Sequence, residues 1–189
     1  LSATEDDNVV AILYDDGTLD IIGEGNIRDY TSENSPLYAY RDSITKINIA
    51  SEITSIGDYL FEGYTKIKEI NIPEKVTKIG KYAFWSCSLL EKVELPEGLI
   101  LIDDVAFGGC YNLKTIDIPE SVKNIGNLAF SLCTSLSEII IPVNVVTIGK
   151  SVRGIGDYAF SGCSSLTAIN IEETNRNYSS KDGIVFNKD

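Results

Sequence analysis

The sequence predicts an α/β solenoid, a stack of about six 23-residue units behind an N-terminal β-hairpin cap. Ile44, Ile67, Leu90, Leu113 and Leu136 recur every 23 residues, and Leu166 follows after 30. Self-similarity at one fixed period marks an architecture in which each unit touches mainly its neighbours. Inside each unit the apolar period also changes, from the spacing of a strand to that of a helix.

Ahead of the repeats, residues 1–8 are polar and acidic and read as a frayed end. Two β-like runs follow, Val9 to Tyr14 and Thr18 to Ile22, joined by Asp15-Asp16-Gly17. An Asp-Gly turn between apolar runs signals a hairpin. The irregular stretch to residue 43 carries Pro36, Tyr30, Tyr38 and Tyr40. Together, residues 1–43 read as a cap over the first repeat, because a terminal unit would otherwise leave its apolar face bare.

Residues 44–171 are the repeats. One unit reads Ile67-x-x-Ile70-x-Ile72-Pro73-x-x-Val76-x-x-Ile79-Gly80-x-x-Ala83-Phe84-x-x-Cys87. Ile70 and Ile72, two apart, suit one face of a strand. Pro73 ends it, having no N–H to give a ladder. Val76 and Ile79 mark a second extended piece. Ile79, Ala83, Phe84 and Cys87 then fall on one stripe of a short helix. Stacking at roughly 4.8 Å would gather equivalent positions into files, among them Phe61, Phe84, Phe107, Phe130 and Phe160. The interval of 30 has a local cause: Val145-x-x-Ile148-Gly149 is repeated as Val152-x-x-Ile155-Gly156, and the extra seven residues should bulge outward or lengthen the second segment. Residues 172–189 depart from the pattern, with Glu172 in place of Pro, and read as a turn and one more strand of a chain that continues. The lack of any Met, with Leu1 first, is what a mature or excised segment shows.

The repeated line L-x-x-I-x-I-P-x-x-V-x-x-I-G-x-x-A-F-x-x-C resembles the BspA-like class of leucine-rich repeats, as do the closing residues from Asn177 to Asp189. The first unit is the loosest, with Ala50 for Pro, Leu60 for Ala and Tyr64 for Cys. The resemblance implies a right-handed solenoid with a parallel sheet on one face and short helices on the other. It also implies a secreted or cell-surface protein of a host-associated bacterium, and adhesion to host extracellular matrix or to other cells.

Composition narrows the function classes. A formal net charge of −12 leaves nothing to neutralise a row of phosphates, which argues against nucleic acid. No run of residues is long and apolar enough for a membrane-spanning helix. The sequence has no His, so the commonest general base is missing, and no phosphate loop or nucleophile elbow appears. We therefore expect no enzyme and no cofactor.

Three sets of residues compete as sites. Cys87, Cys110, Cys133 and Cys163 stand one per unit. They read as reduced thiols behaving as small apolar groups. A disulfide between neighbouring units is the alternative on Cα distance, and a metal site, which needs convergent ligands, comes last. Facing outward from the first strands are two columns: Asn48, Asn71, Glu94, Asp117, Ile140 and Asn170, and Lys46, Glu69, Lys92, Thr115, Glu138 and Ala168. Lys and Glu on successive rungs could simply neutralise one another. The functional reading is a ligand face of Glu94, Asp117, Ile140, Asn71, Lys92 and Glu138, where acids exceed bases and an apolar side chain is bare. Tyr59, Tyr82 and Tyr158, with Trp85, offer a second surface. The expected role is recognition of a protein or glycan ligand, such as host matrix. A structural spacer and an accessory glycan-binding domain of a larger surface enzyme are the rival readings.

Overall fold

The computed structural model describes residues 8–32, 34–148, 158–182 and 184–188. Strands β1 (Val9–Leu13) and β2 (Thr18–Gly23) form the antiparallel hairpin, Leu13 opposite Leu19. Its turn closes through Gly17 N–H to the Tyr14 carbonyl (3.1 Å), and the Asp16 carboxylate accepts the Thr18 N–H (2.8 Å). After β3 (Gly25–Asn26) and a 3-10 turn at Tyr38–Tyr40 come β4 (Lys46–Ile49), β5 (Ile53–Ile56), β6 (Glu69–Asn71), β7 (Lys78–Ile79), β8 (Lys92–Glu94) and β9 (Leu101–Ile102). The chain goes on through β10 (Asn124–Ile125), β11 (Glu138–Ile141), β12 (Thr147–Ile148) and β13 (Ala168–Ile171). It ends in an antiparallel pair, β14 (Tyr178–Lys181) and β15 (Ile184–Asn187), where the sequence leads one to expect a single strand.

Successive units pair in parallel with the register of the repeat: Ile56 lies beside Ile79, Ile79 beside Ile102, Ile102 beside Ile125 and Ile125 beside Ile148. The hairpin joins the same stack. β2 pairs with β4 and β3 with β5, both in parallel, so residues 18–26 lie on the first repeat much as the repeats lie on each other.

The unbroken ladder is the one built by the second extended pieces, in the order β12-β10-β9-β7-β5-β3. The first strands pair only in groups: β1-β2-β4, β6-β8 and β11-β13. Residues 115–117 join neither neighbour. Extending the β6–β8 register, which sets Asn71 beside Glu94, would bring Asp117 opposite Glu94. Two carboxylates facing across adjacent strands disfavour pairing.

The core is a set of files between the two strand layers and the turns. Phe84 and Phe107 lie 5.2 Å apart, Phe107 and Phe130 5.6 Å, and Phe130 and Phe160 5.7 Å, with ring planes within 5° in each pair. Such offset stacking adds to the area buried. Ile70, Ile72, Val76, Ile79, Ala83 and Cys87 are all buried, as the apolar pattern requires.

The short helices do not form among the described residues. Residues 80–87 and their equivalents are consecutive turns. The amides of Tyr82, Phe84 and Ser86 donate to the carbonyls of Asp104, Ala106 and Gly108 on the next rung, at 3.0, 2.8 and 2.9 Å. The alternate amides of Ala83, Trp85 and Cys87 donate three residues back, at 3.3, 3.1 and 3.2 Å. An α-helix would bond four back throughout. Left-handed residues also recur inside each turn region: Tyr59, Tyr82, Val105, Leu128 and Tyr158, then Gly63, Ser86, Gly109, Leu132 and Gly162. L-residues do not take that conformation within a helix.

Gly80 answers a different need. A Cβ there would stand 2.7 Å from the Asp58 amide nitrogen and 2.8 Å from the Gly57 carbonyl carbon, so the Ile-Gly motif is where one rung's backbone meets the next. The second Val-x-x-Ile-Gly copy, Val152 to Gly156, lies outside the described residues, as do acidic residues 1–7.

At the C-terminal end, Asn175 is 1% exposed. Its Nδ2 donates to the Pro142 and Val145 carbonyls at 2.8 and 3.2 Å, and its Oδ1 accepts the Asn177 and Tyr178 amides at 2.9 Å each. Glu172, in the place of Pro, accepts the Val143 N–H at 2.8 Å. These contacts bind the last segment to the preceding rung.

Candidate interaction face

In β4, β6, β8 and β11 buried residues alternate with exposed ones, whereas all four residues of β13 are half-buried. Ile70, Val93 and Ile139 go inward, while Glu69, Asn71, Lys92, Glu94, Glu138 and Ile140 are exposed. Asp117 is exposed as well. All six candidate residues therefore share this face, without sharing one pocket.

Lys92, Glu94 and Asp117 line a groove of ≈ 590 Å³ that also takes in Leu95, Glu97 and Glu120. Asn71, Lys92 and Glu94 border a second of ≈ 250 Å³, reaching back to Lys46 and Asn48. A third, of ≈ 380 Å³, runs past Asn48, Asn71 and Glu74. Glu138 turns aside to accept a hydrogen bond from Asn170 Nδ2 at 2.6 Å. Ile140, beside Asn170 in the ladder, is 52% exposed.

The charges are arranged differently from the expected alternation. Lys92 pairs within its own strand, donating to Glu94 Oε1 at 2.6 Å. That hydrogen bond and charge raise the Lys92 pKa, with weaker help from Glu69 and Asp117. Cross-rung pairs exist elsewhere, as Lys75 with Glu52 and Lys114 with Glu91 (2.5 Å). Lys46, Glu69 and Lys92 form no ion pair with one another among the described residues, and Lys92 takes the Glu94 carboxylate two residues along its own strand. Glu97 and Glu120, which sequence reasoning passed over, recur one residue after Pro96 and Pro119. That recurrence was the available signal.

The cysteines belong to the core. They are free, and each Sγ donates to a Phe carbonyl of the preceding rung: Cys87 to Phe61 (3.2 Å), Cys110 to Phe84 (3.3 Å), Cys133 to Phe107 (3.3 Å) and Cys163 to Phe130 (3.1 Å). Burial pushes all four thiol pKa values up. On the turn side, Tyr59 and Tyr82 stack at 4.6 Å, and Trp85 meets Tyr82 edge-on at 6.2 Å. These rings are half-buried, while Tyr158 is exposed.

The model of the BspA type leucine-rich repeat region matches residues 33–153 and 144–182, in six copies. The chain belongs to this family. Leucine-rich repeat proteins generally act as non-enzymatic modules that bind proteins. A leucine-rich repeat protein from Eubacterium ventriosum has a similar structure, with 28% identity and a TM-score of 0.78 over 96% of this chain and 46% of its own. One from Bacteroides ovatus shares 28% identity, TM-score 0.59, over 90% and 47%. A leucine-rich cell surface protein from Faecalibacterium prausnitzii shares 25% identity, TM-score 0.65, over 100% and 59%. The chain thus spans about half the length of these relatives. No curated protein matches it. Among the described residues, no helix is long and apolar enough to cross a membrane.

Proposed function

We propose that this BspA-type leucine-rich repeat chain is a non-enzymatic recognition module of a secreted or cell-surface bacterial protein. It binds a protein or glycan ligand, with adhesion to host matrix or other cells as the outcome. The contact surface is the outward face of the first strands, around Asn71, Lys92, Glu94, Asp117, Glu138 and Ile140. The observation that carries the reading is the set of grooves along this face, ending near an Ile140 that is more than half exposed. A single exposed Ile is ordinary on a protein surface and carries no weight alone; the grooves on the same face are what support the reading.

A matrix-protein and glycan array probed with the chain and with its Ile140→Asp variant tests the proposal. Binding to at least one ligand, weakened in the variant, is expected. Silence on both arrays contradicts recognition, and equal binding by the variant moves the contact off this face.

A further inference from the structure

Along the first-strand face the three grooves share residues and so form one path. Asn48 and Asn71 border both the third and the second, and Lys92 and Glu94 border both the second and the first. The path crosses the rungs of Asn48, Asn71, Glu94 and Asp117. Three rung intervals at about 4.8 Å span roughly 14 Å, the length of four to five residues of extended polypeptide. The first groove is lined by the apolar Leu95, Ile118 and Pro119 together with Glu94, Glu97, Asp117 and Glu120.

Acidic charge is in excess at this end, where Glu94, Glu97, Asp117 and Glu120 line the groove with the single Lys92. Lys92 is occupied by Glu94. The carboxylates of Glu97, Asp117 and Glu120 have no ion pair and accept no hydrogen bond among the described residues. Here, too, the first-strand ladder is open and the register would set Asp117 against Glu94. A ligand bringing positive charge complements a groove lined by Glu94, Glu97, Asp117 and Glu120 against the single Lys92, whereas a neutral or anionic one does not.

Resting on the proposed function, we infer that this path takes an extended, cationic segment of a partner protein. Lys or Arg side chains seat between Glu97, Asp117 and Glu120, and the segment's stems lie on Leu95 and Pro119. Arg and Lys suit such a groove because their aliphatic stems cover apolar floor while the head meets carboxylates.

The test uses two fluorescein-labelled hexapeptides, one alternating Lys and Val and the other Glu and Val, titrated into the chain by anisotropy. Titrations run at about 50 mM and about 300 mM salt, where screening differs strongly. The Lys-Val peptide is expected to bind, to weaken at the higher salt, and to lose at least about fivefold in affinity with Glu97→Gln/Glu120→Gln. The same loss of charge elsewhere, Asp15→Asn/Asp42→Asn, should cost less than about twofold. The inference is overturned if neither peptide binds, if the Glu-Val peptide binds as well, or if the two double variants lose affinity equally. Thermal melts establish that both variants fold. An array ligand lost in Ile140→Asp, alongside a Lys-Val peptide that does not bind, would sink this inference and leave the proposed function standing. Array silence would sink the function itself.

Discussion

The ring of Phe84 lies 5.2 Å from that of Phe107, with 1° between their planes. The same contact continues on to Phe130, so Phe107 is packed on both sides by its own equivalents. A rung gets its stability from its neighbours, and removing one ring opens two interfaces at once.

Phe107→Ala should therefore destabilise the chain by about 3–5 kcal/mol, and Phe107→Leu by less than about 1.5 kcal/mol. Urea unfolding followed by circular dichroism measures both. Equal, small effects would mean that the ring file contributes little.

Gly109 separates turns from helices. It sits at φ +72, and an added Cβ would stand 3.3 Å from Ser86 Oγ. Gly109→Ala should cost about 1–2 kcal/mol for a left-handed L-residue. Ser86→Gly, at φ 59 on the rung below, should be neutral or gain up to about 1 kcal/mol. In a helix the signs would reverse, since Ala exceeds Gly there by about 1 kcal/mol.

Asn175 holds the C-terminal segment through four hydrogen bonds from a buried position. Asn175→Ala leaves two carbonyls and two amides without their partner, at about 1–3 kcal/mol for each group that water does not reach. A loss of at least about 2 kcal/mol is expected, together with faster proteolysis after residue 172. Unchanged proteolysis would assign the anchoring to β14 and β15 alone.

The buried thiols should also be silent. At pH 8 the native chain should react with Ellman's reagent at Cys163 at most, the one cysteine that is not fully covered, and at all four once unfolded. The folded-state pKa of each is raised above its ordinary 9.0, so folding holds these protons. Stability is then fully present below pH 9 and falls as pH rises beyond it, because the unfolded chain ionises first. Cys87→Ala/Cys133→Ala should flatten that alkaline decline. A decline equally steep in the variant would place its cause in other groups.

How much of this was legible follows from which residues had only one role open to them. The 23-residue interval and the Phe and Ile files were readable because each position must be buried in every unit. The Asp15-Asp16-Gly17 turn was readable because its chemistry is local. The turn regions were misjudged because Ile79, Ala83, Phe84 and Cys87 point inward equally well from a helical stripe and from consecutive turns. The recurring Gly63, Gly109 and Gly162 were the clue to left-handed residues. Pairing of β2 with β4, the open ladder at residues 115–117 and the grip of Asn175 are contacts between distant segments, to which periodicity is blind. Among the candidate face residues, alternation along each strand placed the side chains outward. It could not say which carboxylate Lys92 would choose.

Amide hydrogen exchange, measured with and without a ligand taken from the array, tests the proposed contact face most directly. Ligand-dependent protection is expected at residues 69–71, 92–97 and 115–120, with residues 80–87 and 103–110 unchanged. Protection confined to those turns would contradict that face as the contact.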